Sequence, residues 1–443
     1  MIVLALVGIL MAFYASYMWP RESGWLLVLV FPLLGPAEFT FVPAESFPLT
    51  IQRLCLFASF GMFFSPHVKS NLMIFKSNLV RLVLLFLLIL SISSIRDFNQ
   101  TFFFNFIPRW IFPLFLAFFL IESEKDLDKV LKIFVIHALM ISGFSILEFF
   151  TDFNIHNILA ESVPQYDFDY QVSKENPYLR FGIYRSSGID GNSVMTGYRL
   201  AFYFPLLLFY CKKWPYVLRV AGLVVFFVGL VFLQSRAATA IIVLTGVFIF
   251  LKGAKDVRVF VMRLFSVLFS ATILLLTVYW VFPDIFTIYE AYTELAVAGD
   301  QESISSDGRF VWMAEAFHLF LQNPFFGYGS PQHVYLELME TKDIPSYLTY
   351  FLAGGIIGGG LFLYIMYYMI RQVYRIHLLQ DESNYQKEFL FYATLGIAGA
   401  FLPTFLNWQE NHFTIMLFLY VAVYKVYVNS EVAEKSKAST IEE

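Results

Sequence analysis

The chain has 443 residues, of which 58% are hydrophobic, 19% aromatic and 14% charged, with a formal net charge of −4. A soluble protein carries about 25% charged residues, so this sequence cannot cover a water-facing surface, and a soluble globular domain is excluded. The two cysteines, Cys55 and Cys211, fall in or beside apolar segments and offer no disulfide framework or paired-cysteine metal motif.

The apolar residues cluster into runs such as Leu82–Ile92, Phe202–Tyr210, Ala221–Leu233 and Ser266–Trp280. With their flanks these reach the roughly 20 residues that a helix needs to cross about 30 Å of hydrocarbon. The first run, 1–19, has no basic segment ahead of it. Pro20, Arg21 and Glu22 follow where a signal peptide would carry small residues, so it reads as a span. Further spans are predicted over 25–42, 47–65, 79–95, 102–121, 130–150, 192–210, 215–233, 238–252, 258–281, 346–371, 388–405 and 412–428. The fold expected is an all-α polytopic integral membrane protein with two long external loops and about 12–13 transmembrane helices. Residues 1–150 form the N-terminal helices, 151–191 the first external loop and 192–281 the central helices. Residues 282–345 form the large acidic external loop, 346–428 the C-terminal helices and 429–443 a cytoplasmic tail.

Charge placement supports this segmentation. Lys69, Lys76 and Arg81 mark one cytoplasmic loop; Lys125, Lys129 and Lys132 mark the next. Lys212, Lys213 and Arg219 follow, then Lys252, Lys255, Arg258 and Arg263, then Arg371, Arg375 and Lys387, and the tail with Lys435 and Lys437. Two spans separate each basic loop from the next, as the positive-inside rule requires. On the opposite side, the 282–345 loop sets ten acidic residues against Arg309 and Lys342. The N-terminus is external with thirteen spans, or cytoplasmic with twelve if the segment containing Pro32 and Pro36 is re-entrant.

No P-loop, dinucleotide fingerprint or metal-binding histidine spacing is present, and no basic patch would suit a nucleic acid. No cofactor is expected. The residues that stand out are arginines. Arg309 lies in Ser305-Ser306-Asp307-Gly308-Arg309-Phe310-Val311-Trp312-Met313. Asp307 suits an N-cap, and Phe310, Met313, Phe317 and Phe320 recur with helical spacing on one face, which predicts an amphipathic helix. A cation beside free backbone N–H groups helps form an anion site; a rim arginine paired with an acidic neighbour is the alternative. Arg236, in Leu233-Gln234-Ser235-Arg236-Ala237, occupies a short external turn. Its guanidinium suits bidentate phosphate binding; snorkelling to the interface is the alternative.

Arg185 and Arg199 flank the entry to the span after the first long loop, around Tyr184-Arg185-Ser186-Ser187-Gly188-Ile189-Asp190-Gly191-Asn192. Arg53, Arg109 and Glu148 lie within hydrophobic segments, where charges face a cavity or a partner; Glu148 could pair with an arginine. The run from Gly354 to Gly360 has small-residue spacing that lets helices approach closely. His333, in the acidic loop, is a candidate base or a polar loop residue. Arginines outside or within the membrane, without a nucleotide motif, suggest an anionic, lipid-borne substrate.

These motifs resemble the O-antigen polymerase and ligase superfamily of bacterial membrane glycosyltransferases. The resemblance rests on Arg185-Ser186-Ser187-Gly188 through Asn192, on Ser235-Arg236, and on Asp307-Gly308-Arg309 with Trp312. Asn323-Pro324-Phe325-Phe326-Gly327-Tyr328-Gly329, Ser346-Tyr347-Leu348 and Gly355-Ile356-Ile357-Gly358 follow in the same order. It implies a helical, GT-C-like, metal-independent fold in the bacterial inner membrane, with its active site facing the periplasm or exterior. It also implies transfer of glycan from a polyprenyl-diphosphate-linked oligosaccharide, embedded in membrane lipid, to an acceptor hydroxyl. Arg236 and Arg309, with Arg185, would bind the diphosphate; His333 or Asp343 would act as base. Arg199, Asn192 and Tyr328 would contribute to substrate binding, and a chain-length regulator protein is a possible partner. Ligases of this family typically carry a histidine followed by asparagine before the late span; Pro345 and Ser346 stand there instead. That favours a polymerase of O-antigen, capsule or exopolysaccharide over a ligase to lipid A-core. A lipid-linked oligosaccharide flippase or other transporter is the reading from a different class.

Overall fold

The computed structural model describes residues 2–29, 40–42, 49–66, 77–95, 106–151, 179–180, 183–189, 192–252, 256–266, 269, 306–334, 338–339, 344–379, 385–405 and 415–427. The architecture is helical and polytopic, as its hydropathy requires. Helices α1 (Ile2–Met18), α2 (Pro20–Leu29) and α3 (Ile51–Phe64) come first. They are followed by α4 (Asn78–Ser93), α5 (Ile107–Leu120) and α6 (Glu124–Thr151). Next come α7 (Ser193–Cys211), α8 (Tyr216–Leu233) and α9 (Arg236–Lys252). After a helical stretch at 257–266, the chain continues with α10 (Ser306–Gln322), α11 (Ser346–Leu379), α12 (Tyr385–Phe401) and α13 (Ile415–Tyr427). Two small antiparallel ribbons accompany them. β1 (Thr40–Val42) pairs with β2 (Leu49–Thr50), and β3 (Leu179–Arg180) with β4 (Ile183–Tyr184).

Among the described residues, α6, α7, α8, α11 and α12 with its following 3-10 turn are long and apolar enough to cross a membrane; four shorter apolar helices join them. The span expected over 258–281 lies mostly outside the described residues. The span expected over 25–42 is not one continuous helix: α2 ends at Leu29 and the chain is a strand by Thr40. Pro32 and Pro36 lie between, and each would remove a hydrogen bond from a helix carried through it. Helices α1 and α3 run parallel. Ser65 Oγ donates to the Tyr17 carbonyl at 2.7 Å, and a Cβ on Gly61 would sit 2.3 Å from the Phe13 carbonyl oxygen.

The helices sort their charges to opposite ends. At one end the start of α6, the end of α7 and the start of α12 meet: Lys213 Nζ donates to Asp128 at 2.7 Å and Lys212 pairs with Glu388. Lys252, at the end of α9, lies 3.5 Å from His377 near the end of α11, and Arg21 bridges to Asp126 at 3.2 Å. The other end gathers the last turn of α6, the first turn of α7 and the α8–α9 turn. Long basic side chains keep their stems in apolar surroundings and their heads in water, which fixes the lysine-rich end at a membrane surface.

Helix α7 is the axis of this half of the bundle and is buried along almost its whole length. It packs against α6, α8, α9 and α12. Small residues allow the close approaches. A Cβ on Gly229 of α8 would lie 2.6 Å from Ser142 Cα of α6, and one on Gly197 of α7 would lie 2.7 Å from Ser235 Cβ. A second centre is aromatic: Phe86, Phe106, Trp110, Tyr350 and Phe362 tie α4 and α5 to α11, with Tyr350 and Phe362 at 4.2 Å.

Candidate functional site

Helix α8 ends at Leu233, and its last carbonyls have no partner within the helix. The segment after β4 supplies two. The Arg185 guanidinium donates through Nε to the Leu233 carbonyl at 2.9 Å, and the Ser186 N–H donates to the Phe232 carbonyl at 3.1 Å. Gln234 then takes a left-handed conformation, φ 49°, which ends α8 and turns the chain at once into α9. Ser235 occupies the N-cap position and Arg236 the first helical residue. The first N–H groups of α9 are therefore presented beside Arg236, and they carry the positive end of the helix dipole. Ser235 is buried, and its hydroxyl has no hydrogen-bond partner among the described residues. Arg236 is exposed, whereas Arg185 is buried.

The segment carrying Arg185 is held from below by Glu148, which is 3% exposed near the end of α6. Its carboxylate accepts from Ser187 N–H at 3.0 Å, Ser187 Oγ at 2.8 Å and Gly188 N–H at 2.7 Å, and also from Ser186 Oγ. The buried intramembrane carboxylate is thus engaged by hydroxyls and backbone N–H groups rather than left bare. Gly188 has φ +68°, and a Cβ there would meet Thr196 of α7 at 2.6 Å; Thr196 Oγ1 donates to the Ser187 carbonyl at 3.0 Å. Stacked rings of Phe149 and Phe232, 3.9 Å apart, brace the same corner.

Asn192 is the N-cap of α7; its Oδ1 accepts from Val194 N–H at 2.9 Å and Met195 N–H at 3.4 Å. Arg199, two turns along α7, is 1% exposed. It lies deeper than Arg185, toward His137, whose Nδ1 is 3.2 Å from Tyr203 Oη and whose Nε2 is 3.0 Å from the Leu29 carbonyl. The sequence placed Arg185 and Arg199 about the entry to one span and Arg236 in a short external turn; the fold sets that turn against the segment carrying Arg185, with Asn192 and Arg199 on α7.

The acidic-loop residues form a second group. Helix α10 packs on α11. Its packed stripe is the buried Ala316 with the half-buried Trp312, Met313, Leu319 and Phe320, and Phe320 is edge-on to Phe351 at 5.6 Å. Of the expected face of Phe310, Met313, Phe317 and Phe320, Met313 and Phe320 pack on the bundle, and Phe317, 54% exposed, lies at its edge with its ring 6.2 Å from that of Phe320. The side chain of Phe310 lies outside the described residues, as do those of Arg309, Arg53 and Arg109. Asp343 lies outside them entirely. The backbone at Arg309 belongs to the first turn of α10.

From α10 the chain turns through Asn323–Gly329 and plugs a break in α11. At Gly355 the backbone leaves helical geometry, φ 64° and ψ −163°. The carbonyls of Leu352 and Ala353 accept instead from Tyr328 N–H at 2.7 Å and Gly329 N–H at 3.0 Å, and Ile356 N–H donates to Pro324 at 2.7 Å. Tyr328 Oη donates to the Leu319 carbonyl at 3.0 Å and lies 3.2 Å from Gln322 Oε1, tying the loop to α10. His333 sits in the short turn Pro331–His333, where Ser330 Oγ accepts its N–H at 3.1 Å. Gly354 and Gly358 lie against Leu90 of α4, the close packing that their spacing suggests. The break at Gly355 was not foreseen; its signal was the glycine pair beside the loop's Gly327 and Gly329.

Residues 221–363 match a family described as O-Antigen ligase. That stretch is what the chain shares with the O-antigen ligase family. That stretch runs from within α8 to the second half of α11 and includes the α8–α9 turn, α10 and the plugged break. The family supports membership of the polymerase and ligase superfamily and a polysaccharide-related glycan-transferring activity in a membrane protein. No curated protein matches the chain. Glu148, Arg185, Asn192 and Arg199 precede the matched stretch.

Proposed function

We propose that the protein is a polysaccharide polymerase that moves a growing glycan from polyprenyl diphosphate to a hydroxyl of a lipid-linked repeat unit. One observation carries this reading. Arg185 is fixed on the carbonyl of Leu233, three residues before Arg236 opens α9. Two guanidinium groups and the N–H groups of a long helix then share one turn, a combination suited to a diphosphate. Arg309, in the first turn of α10, is the third cation of the set in this reading.

The acceptor oxygen attacks the anomeric carbon as the bond to the diphosphate oxygen breaks, and the hydroxyl proton passes to His333 or Asp343. Charge that develops on the leaving diphosphate meets preorganised cations, which stabilise it more in the transition state than in the ground state. The lysine-rich end faces the cytoplasm by the positive-inside rule. The arginine site then opens at the outer face of a bacterial inner membrane, where a chain-length regulator would act.

The ligase reading has one observation in its favour, the description of the matched family. Pro345 and Ser346 at the start of α11, in place of the ligase histidine and asparagine, favour the polymerase. The test is a gel of surface polysaccharide from a deletion strain carrying Arg236→Ala or Arg309→Ala. Single repeat units with stably inserted protein support the polymerase. Long chains stranded on the carrier lipid indicate the ligase, cytoplasmic intermediates indicate a transporter, and normal chains overturn the site.

A further inference from the structure

Glu148 has no assigned part in glycan transfer, yet at the arginine-bearing end its carboxylate accepts four hydrogen bonds. It projects from α6, a helix that contributes none of the arginines. Four donors from Ser186, Ser187 and Gly188 converge on its two oxygens, and these residues directly follow Arg185. The same short segment is pinned at its other edge to α8 through Leu233 and Phe232. Its far side touches α7 through Thr196. An isolated stretch of extended backbone has no means of holding a guanidinium in one place. Here the Ser186–Gly188 turn is clamped between three helices, and the clamp on the α6 side is one carboxylate.

We propose that Glu148 is a positioning residue: it holds the Ser186–Gly188 turn so that Arg185 stays on the Leu233 carbonyl beside Arg236. This rests on the proposed diphosphate site. A carboxylate offers only acceptors, which suits a set of four donors. Glutamine would turn a donor toward one of those N–H or O–H groups, and the mismatch would release the turn. Displacement of a positioning group by about an ångström lowers rate on the order of a hundredfold, so Glu148→Gln should reduce glycan elongation strongly.

The experiment has two readouts. The first is geometric and independent of transfer. In a background of Cys55→Ser and Cys211→Ala, Ile189→Cys reports the turn, since Ile189 is fully buried. A membrane-impermeant maleimide should label it slowly with Glu148 in place and at least several-fold faster after Glu148→Gln. The second is a double-mutant cycle on surface-polysaccharide length in the deletion strain. Arg185→Ala and Glu148→Gln should each shorten chains, and together they should do no more than Arg185→Ala alone. Ser186→Ala with Ser187→Ala, which keeps the carboxylate but removes two donors, guards against a folding defect specific to Glu148→Gln and should give the same two changes.

Unchanged labelling in the Glu148 and serine variants overturns the proposal. So do fully additive losses in the cycle, or normal chains from Glu148→Gln when Arg185→Ala is inactive. Normal chains from Arg185→Ala and Arg236→Ala would instead overturn the diphosphate site itself, whatever the labelling shows.

Discussion

The backbone N–H of Ile356 donates to the carbonyl of Pro324 at 2.7 Å, across the point where α11 leaves helical geometry. Within a bilayer, backbone groups freed by a break must find partners, because each unsatisfied one costs several kcal/mol. The Asn323–Gly329 loop supplies them from outside the helix. In doing so it fixes the position of α10, and hence of the turn bearing Arg309.

Gly355 carries the break. Its φ and ψ fall in a region open essentially to glycine, which costs other residues about 1–3 kcal/mol, and a Cβ would sit 2.2 Å from the Phe325 carbonyl oxygen. Gly355→Ala should lower the unfolding temperature in detergent markedly. Gly358→Ala is the control: its Cβ would make ordinary contact, 3.5 Å from the nearest atom, and should be tolerated. Equal losses in both would show that helix packing, rather than the break, governs this region.

Tyr328 separates support from substrate contact. Removing its hydroxyl deletes the bond to the Leu319 carbonyl, worth about 0.5–1.5 kcal/mol. Tyr328→Phe should therefore be slightly less stable and keep normal chain length on a polysaccharide gel. A stable variant with short chains would instead place the hydroxyl on the sugar.

Asn192 poses the same choice at α7. Loss of an N-cap costs about 0.5–2 kcal/mol, so Asn192→Ala should lower the unfolding temperature. Asn192→Asp keeps the acceptor for Val194 and Met195 and should restore it. Restored stability without restored glycan elongation would show that the amide itself meets the substrate.

Lys213, beyond the end of α7, reports on the opposite end of the bundle. Burial works against its ammonium, but the hydrogen bonds to Asp128 and Tyr385 outweigh that, and its pKa lies above the ordinary 10.5. A raised folded-state pKa gives stability that is complete below the ordinary value and is lost as pH climbs through the raised one. Thermal unfolding followed into alkali should show this loss, and Lys213→Gln should diminish it. An identical alkaline profile in the variant would mean that the Lys213–Asp128 pair adds nothing to stability, a common result for exposed ion pairs.

The sequence by itself determined the membrane class, the approximate places of most helices and which ends carry lysine. These follow from local properties: the length of apolar runs, the position of charge and the cost of burying either without compensation. It also marked Arg185, Arg236 and the Asn323–Gly329 loop as unusual. Only the tertiary structure decided what they meet. Arg185 reaches a carbonyl 48 residues away, and Glu148 is engaged by a turn that begins 38 residues later. Gly354 and Gly355 are alike in the string, yet one packs on Leu90 of α4 while the other breaks α11 against Phe325. Hydropathy describes each segment's relation to lipid, whereas hydrogen-bond partners and helix breaks depend on which segments become neighbours, and that is a property of the whole bundle.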